Sequence, residues 1–125
     1  MEKKKILMID DEEDFTQLVK LNLEITGKYE VRTENRGDQG CAAALEYRPD
    51  LILLDILMPD MEGSEVAYKI KQQEELKNVP IIFLTATARE VEIDASTGSI
   101  GGQVFIAKPV SAEKLMEAIE KQLQK

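Results

Sequence analysis

The sequence predicts an α/β protein with a doubly wound parallel sheet, built as a (βα)5 repeat with helices on both faces. Two observations predict this class: short apolar runs alternate with amphipathic segments five times, and three of those runs are apolar throughout. Strands buried on both faces read as continuous apolar runs, whereas a strand with one wet face alternates. Strands that alternate with helices imply right-handed crossovers. Since 125 residues suit one domain, we expect residues 1–125 to form a single domain without a linker or a second domain.

The predicted strands lie at residues 5–9, 29–33, 51–54, 81–84 and 104–107. The second run reads Tyr-Glu-Val-Arg-Thr and alternates, so we expect it at an edge of the sheet with one solvated face. The last three runs are apolar throughout and are expected to be buried on both faces.

The first predicted helix follows the first strand. It has an apolar face and a glycine, Gly27, at the position of a C-terminal cap. That face is predicted to contain Phe15, Leu18, Val19 and Ile25.

The second and third predicted helices both end ahead of a proline. The second lies at 42–47 and is stopped by Pro49, because the residue before a proline disfavours the helical conformation. The third carries Val66 and Ile70 one turn apart and is predicted to run toward Lys77.

The last two helices differ in the strength of their signals. The segment at 89–95 predicts only a short helix, because the following residues 96–102 are rich in glycine, serine and threonine and favour a loop. The last helix begins at Ser111, a favourable N-cap. Its apolar face is predicted to contain Leu115, Ile119 and Leu123.

Composition excludes several classes of function. The chain contains no histidine, which removes Ser-His-Asp and Cys-His catalysis, a histidine-based zinc site and a role as a phosphohistidine carrier. The formal net charge of −8 argues against direct binding of nucleic acid. No apolar run approaches the roughly 20 residues that cross a bilayer, and no signal peptide is evident, so we expect a cytoplasmic protein without a membrane partner. The single cysteine, Cys41, is predicted to be a buried structural thiol.

Polar side chains follow four of the predicted strands at their carboxyl ends. Asp10 and Asp11 follow the first strand, Asp55 the third, Thr85 the fourth and Lys108 the fifth. Each residue alone has a local explanation, such as an acidic first turn of a helix or a solvated surface lysine. Because the carboxyl ends of parallel strands meet at one edge of a sheet, four such coincidences are improbable, and the set predicts a functional site.

The chemistry of this set predicts a carboxylate phosphorylation site. Neighbouring carboxylates repel one another by about 4 kcal/mol per pair at contact distance near a protein surface. A divalent cation relieves that repulsion, and Mg²⁺ is favoured because it takes carboxylate oxygens, water and substrate phosphate as ligands. Lys108 and Thr85 would contact the oxygens of the transferring group. Asp55 would then act as the nucleophile and form an aspartyl phosphate.

Five motifs in order carry a resemblance to a known family. They are Ile-Asp-Asp-Glu at 9–12, Pro-Asp-Leu-Ile-Leu-Leu-Asp at 49–55, Met-Pro-Asp-Met-Glu-Gly at 58–63, Leu-Thr-Ala at 84–86 and Lys-Pro at 108–109. Over essentially its whole length the chain resembles a response-regulator receiver domain of two-component signalling, in the CheY-like superfamily. The resemblance implies a flavodoxin-like fold with strand order 2-1-3-4-5.

The resemblance also implies roles for the residues at the sheet edge. Asp55 would be the phosphoacceptor, and Asp11 and Asp55 would bind Mg²⁺ together with the backbone carbonyl of Leu57. Asp10 would act mainly through a metal-bound water. Phosphoryl contacts would come from Ala86 and Lys108.

The same resemblance implies a route from the site to a partner. Thr85 would move toward the phosphoryl group and shift Phe105, which occupies the family's switch-aromatic position, although core packing explains Phe105 equally well. The face formed by helix four, strand five and helix five would then change its partner binding. The Gly-Gly-Gln sequence at 101–103 departs from the usual family pattern and leaves that output face open. A further hypothesis is that apolar Leu57 hinders the hydrolytic water and prolongs the phosphorylated state.

Several functional alternatives remain from the sequence. The phosphodonor would be a histidine kinase or a histidine phosphotransfer protein, and the downstream partner is unknown. A stand-alone regulator, a phosphorelay intermediate and a receiver excised from a longer protein all fit. The strongest rival is a docking domain that works without phosphorylation. We do not expect an enzyme in the usual sense: a phosphatase of the haloacid-dehalogenase type needs an aspartate where Leu57 stands, and a flavin-binding protein needs a phosphate loop where residues 10–14 are acidic.

Overall fold

The computed structural model describes residues 3–85, 99–100, 103–108 and 111–124. Strands and helices alternate along the chain, as the apolar periodicity predicts. The strands are β1 (Lys4–Ile9), β2 (Tyr29–Glu34), β3 (Leu51–Asp55), β4 (Ile81–Thr85), β5 (Ser99–Ile100) and β6 (Gln103–Ala107). The α-helices are α1 (Glu13–Glu24), α2 (Gly40–Tyr47), α3 (Gly63–Lys71) and α4 (Ala112–Leu123), and a short 3-10 turn at Gly37–Gln39 precedes α2.

The strands form one sheet in the order β2-β1-β3-β4-β6-β5. The first five strands in this order are mutually parallel, which confirms the predicted order 2-1-3-4-5 for the parallel strands. The prediction of β2 at an edge is confirmed as well. The two-residue strand β5 was not predicted: it pairs antiparallel with β6 within a stretch where the sequence indicated only a loop.

Two apolar clusters lie on opposite faces of the sheet. One joins β1, β2, β3 and β4 to α1 and α4, and its buried members include Val19, Leu23, Leu115 and Ile119. The other joins the sheet to α2 and α3 through Ala43, Ala44, Val66, Ala67 and Ile70. Helices therefore cover both faces, which is the doubly wound arrangement.

The predicted buried face of α1 is partly wrong. Leu18 is 55% exposed and Ile25 is 79% exposed, whereas Thr16, Val19 and Leu23 are buried. Thr16 can take a core position because its hydroxyl donates to the backbone carbonyl of Glu13 at 2.8 Å. The expected C-terminal glycine is confirmed, since Gly27 has a φ of +77°.

The boundaries of α2 and α3 also differ from the prediction. The second helix begins at Gly40 rather than 42, and it ends where Arg48 adopts a left-handed conformation with φ 55° ahead of Pro49. The third ends at Lys71, and the chain reaches Pro80 through successive turns instead of a helix toward Lys77.

The N-cap of the last helix is confirmed, because the Ser111 hydroxyl accepts a hydrogen bond from the Lys114 amide at 3.2 Å. The helix predicted at 89–95 lies outside the described residues.

Cys41 is half-buried against the second apolar cluster rather than fully buried, and burial raises the pKa of its thiol. Across the described stretches, the helices are too short or too polar to cross a bilayer.

Candidate functional site

The four predicted strand ends meet at one edge of the sheet. Asp55 and Thr85 are the last residues of β3 and β4, and Lys108 directly follows β6. Backbone hydrogen bonds hold these ends in register: the Ile56 amide donates to the Leu84 carbonyl at 2.9 Å, and the Lys108 amide donates to the Thr85 carbonyl at 2.7 Å. The sheet itself therefore sets the spacing of the candidate site residues.

Three carboxylates converge at this edge. Asp10, Asp11 and Asp55 each offer an oxygen, and these oxygens all lie within 4.8 Å of one another. Asp10 is fully buried and Asp55 is 4% exposed, whereas Asp11 is exposed. The site is thus a pocket of concentrated negative charge that opens to solvent on the Asp11 side.

Burial and like charge shift the pKa values of the two buried carboxyls, Asp10 and Asp55. Burial, followed by the neighbouring charge of Asp10, raises the pKa of Asp55 to about 7. Burial also raises the pKa of Asp10, although hydrogen bonding to Lys108 works in the opposite direction. Near neutral pH, the protonated and ionised forms of Asp55 are therefore both populated in the metal-free protein.

Lys108 supplies the compensating positive charge. Its Nζ lies 2.9 Å from Asp10 Oδ2, 2.8 Å from Glu12 Oε1 and 3.7 Å from Asp55 Oδ1. It also lies 4.8 Å from the centre of the Phe15 ring, within the range of a cation–π interaction. Burial works to lower the pKa of Lys108, but hydrogen bonds to Asp10 and Glu12 outweigh it and the pKa lies above its ordinary value. The ammonium group therefore stays charged at neutral pH.

Local hydrogen bonds fix Asp10 in place. Its Oδ1 accepts from the Glu12 amide at 2.9 Å, and its backbone carbonyl accepts from the Asn35 side chain at 2.8 Å. Asn35 also donates to the buried Thr16 hydroxyl at 3.1 Å. Asn35 was not among the predicted site residues, because no local pattern in the sequence indicates that the end of β2 reaches the turn after β1.

Hydrogen bonds fix the segment that follows Asp55, both to the end of β3 and to the turn before α2. The Gly63 amide donates to the Ile56 carbonyl at 2.7 Å. The Asp60 carboxylate accepts from the amides of Gly37 at 3.2 Å and Asp38 at 2.9 Å. Asp60 and Gly63 both belong to the motif at 58–63, but the spacing of that motif predicted a role for neither residue.

The remaining predicted residues fall in different surroundings. Thr85 is buried at the end of β4, and the side chain of Leu57, two residues after Asp55, is 55% exposed. Ala86 lies outside the described residues. Phe105 is half-buried and stacks on Phe83 with 5.2 Å between ring centroids, so it packs in the second apolar cluster. A switch role for Phe105 stays a prediction.

The donor set suits a hard divalent cation. Carboxylate oxygens from three side chains lie close enough to share one ion. Hard oxygen ligands of this kind are those that Mg²⁺ prefers, and the exposed position of Asp11 leaves room for water and for an incoming phosphate. The residues present therefore fit Mg²⁺.

Comparison with known proteins gives a consistent result. The family model for the response regulator receiver domain matches residues 6–120. The polar-differentiation response regulator DivK of Brucella anthropi is 33% identical over 120 residues, which cover 96% of each chain. The phosphate regulon transcriptional regulatory protein PhoB of Rhizobium meliloti is 35% identical over 121 residues, or 97% of this chain and 52% of that protein. This chain spans about half the length of such transcriptional regulators.

Solved structures agree with the sequence relatives. The chemotaxis protein CheY4 of Vibrio cholerae superposes with a TM-score of 0.82 at 30% identity, covering 96% of this chain and 98% of that one. The receiver domain of the sensor histidine kinase PA1611 of Pseudomonas aeruginosa gives a TM-score of 0.82 at 26% identity, covering 99% and 100%. That domain was solved with a magnesium ion coordinated in its active site cleft.

Proposed function

This chain belongs to the response regulator receiver domain family, and from that premise we propose that it is a phosphorylation-dependent signalling switch with Asp55 as the phosphoacceptor. The observation that carries the proposal is the placement of Asp55. Its carboxylate lies beside two further carboxylates and 3.7 Å from Lys108, at the carboxyl edge of the parallel sheet. Domains of this family are signalling domains rather than conventional enzymes.

The proposed reaction is a phosphoryl transfer onto carboxylate. A carboxylate oxygen of Asp55 attacks phosphorus, the new P–O bond forms as the P–N bond of a phosphohistidine breaks, and the imidazole leaves with the bonding electron pair and takes up a proton. Asp55 must be ionised to attack, which its pKa of about 7 permits for part of the population at neutral pH. Lys108 stays charged and would donate to an oxygen of the transferred group.

Mg²⁺ would be held by Asp10, Asp11 and Asp55, with the backbone carbonyl of Leu57 as a further ligand and Asp10 acting mainly through water. When bound, the ion supplies the positive charge that offsets the acidic cluster and the oxygens of the transferring group. Phosphoryl contacts from Ala86 and Thr85 complete the proposed site.

The proposed partners follow from this chemistry. The phosphodonor is a histidine kinase or a histidine phosphotransfer protein, because the chain has no histidine of its own. Phosphorylation would act through Thr85 and Phe105 on the face built from the last parallel strand, the last helix and the helix predicted at 89–95, and so change binding of a downstream protein. A role as an output regulator and a role as a phosphorelay intermediate are both compatible with this site.

We propose that residues 1–125 work as one receiver unit in the cytoplasm. The net charge of −8 supports action through a protein partner rather than direct contact with nucleic acid. The transcriptional regulators among the relatives are about twice as long as this chain, so their action on DNA is not transferred to it.

The proposal is tested by incubating the protein with acetyl phosphate, with and without Mg²⁺, and measuring its intact mass. A single phosphate adduct that requires Mg²⁺ is expected for the wild type and for Asp14→Ala, which removes an exposed carboxylate outside the cluster. The adduct should be absent from Asp55→Ala. An unmodified wild type that also fails to bind beryllofluoride would instead favour a docking domain that works without phosphorylation.

A second experiment concerns the lifetime of the phosphorylated state. Leu57 follows Asp55 by two residues and is 55% exposed, so a substitution there leaves the core intact. Leu57→Asn should shorten the lifetime of the phosphoprotein about threefold or more, because a polar side chain can orient the attacking water. The decay of the adduct after removal of phosphodonor measures this. Leu21→Asn, at a 62% exposed position on α1, is the control. A variant as long-lived as the wild type would contradict the hypothesis.

A further inference from the structure

Glu12 is a charged neighbour of the site to which neither the motifs nor the proposed reaction gives a role. Its carboxylate lies 2.8 Å from Lys108 Nζ, as close as that of the buried Asp10 at 2.9 Å. Asp55, by contrast, lies 3.7 Å from the same nitrogen, which is longer than a hydrogen bond. Lys108 is therefore hydrogen-bonded to the two acids at the start of the chain and not to the phosphoacceptor.

The Lys108 ammonium has little freedom to move in this state. Its side chain is 10% exposed, the Phe15 ring lies 4.8 Å away, and the two acids are close to it. To donate to a phosphoryl oxygen on Asp55, Lys108 has to shift toward Asp55 and give up or lengthen an existing bond. Asp10 and Glu12 take two of the three ammonium donors, so the constraint is the position of Nζ rather than the number of donors. Moving Nζ toward Asp55 from its present distance of 3.7 Å lengthens at least one of the two existing bonds.

The two existing bonds differ in what their loss costs. Asp10 is fully buried, and a buried carboxylate that loses its cationic partner keeps the full desolvation penalty. The Glu12 side chain is 62% exposed, so water can replace Lys108 around it at little cost. The bond between Lys108 and Glu12 is therefore the one that yields.

We propose that Glu12 is a positioning residue that competes with the phosphoryl group for Lys108 and so restrains phosphorylation of Asp55. In the resting state Glu12 holds Lys108 away from Asp55. As the P–O bond to Asp55 forms and acetate leaves acetyl phosphate, Lys108 exchanges Glu12 for a phosphoryl oxygen and keeps Asp10. This inference rests on the proposed function and adds to it a residue that sets how readily the site is phosphorylated.

The test compares Glu12→Ala with Glu13→Ala in the full chain. Both remove one negative charge next to the first turn of α1, but only Glu12 contacts Lys108. The Glu12 side chain makes no capping bond to the helix, so its removal leaves α1 intact. The rate of phosphorylation by acetyl phosphate at saturating Mg²⁺ and the dissociation constant of beryllofluoride are measured, with thermal unfolding as a check on the fold.

Glu12→Ala is expected to raise the phosphorylation rate and tighten beryllofluoride binding about two- to fivefold, the range expected for one solvent-exposed ion pair. Glu13→Ala should change both by less than about 1.5-fold, as expected for a screened charge without contact to the site. Equal effects of the two variants, or slower phosphorylation of Glu12→Ala, would overturn the competition. Wild-type protein that neither forms an adduct nor binds beryllofluoride would overturn the proposed function itself, which is a distinguishable result.

Discussion

Asp55→Asn is expected to stabilise the metal-free protein at neutral pH while it abolishes phosphorylation. Asp55 is 4% exposed, and burial together with the neighbouring charge of Asp10 raises its pKa from 3.8 to about 7. A carboxyl whose pKa is higher in the folded state than in the unfolded state weakens the fold as it ionises. Asparagine has a similar shape and carries no charge, so the variant does not incur the free-energy cost of ionising a buried carboxyl.

The sign of the effect gives it a characteristic pH dependence. Below about pH 4 the carboxyl is protonated in both states, and the variant should match the wild type. Between about pH 4 and pH 7 the wild type loses stability relative to the variant, and above about pH 7 the difference is constant. The difference in free energy of unfolding between variant and wild type is at most about 4 kcal/mol, because a difference of one pKa unit corresponds to about 1.4 kcal/mol.

Urea unfolding at several pH values, in the presence of a chelator, measures this difference. Saturating Mg²⁺ should stabilise the wild type more than the variant. In the wild type the bound cation offsets the negative charge of Asp55, and the variant does not have that charge. Asp14→Asn changes an exposed carboxylate outside the cluster and should follow the wild-type pH curve. A variant that is less stable than the wild type at neutral pH would show that the ionised Asp55 carboxylate does not destabilise the folded protein.

Gly63→Ala is expected to lower the free energy of unfolding by about 3 kcal/mol, at the upper end for steric overpacking. A Cβ atom at this position would overlap the backbone carbonyl oxygen of Asp55 and lie 2.8 Å from the Ile56 Cα. These atoms belong to the backbone at the end of β3, so no side-chain rotation can relieve the overlap. The strand end that carries Asp55, the proposed phosphoacceptor, would have to move away from α3.

Chemical denaturation of Gly63→Ala and Ser64→Ala gives a matched pair. Ser64 is the next residue of α3 and is exposed, so alanine there should change stability by less than about 0.5 kcal/mol. We also expect slower phosphorylation of Gly63→Ala, because displacement of Asp55 disturbs its position relative to Lys108. If Gly63→Ala is as stable as Ser64→Ala, the close approach of α3 to β3 is not a constraint on the fold.

The fold class and most residues of the candidate site could be predicted from the order of residue types along the chain. Continuous apolar runs identify strands buried on both faces, and the rule that parallel strands present their carboxyl ends at one edge places Asp10, Asp55, Thr85 and Lys108 together. Both signals are local: each depends on the residue types within one strand and the residue that follows it. The structure confirms the shared edge, because parallel pairing converts that local order directly into proximity. It also confirms burial of residues 51–54 and 82–84, but residues 104–107 are only half-buried, so that part of the prediction is wrong.

Which side chains contact one another could not be predicted, because those contacts depend on how the elements pack. The face that α1 buries includes Thr16 and excludes Leu18, because hydrogen bonds satisfy the threonine hydroxyl and the sheet accepts only a narrow stripe of the helix. The bond between Glu12 and Lys108 joins residues 96 positions apart. Such contacts depend on the relative positions of elements to within a few tenths of an ångström. Packing sets those positions, and residue periodicity does not encode them.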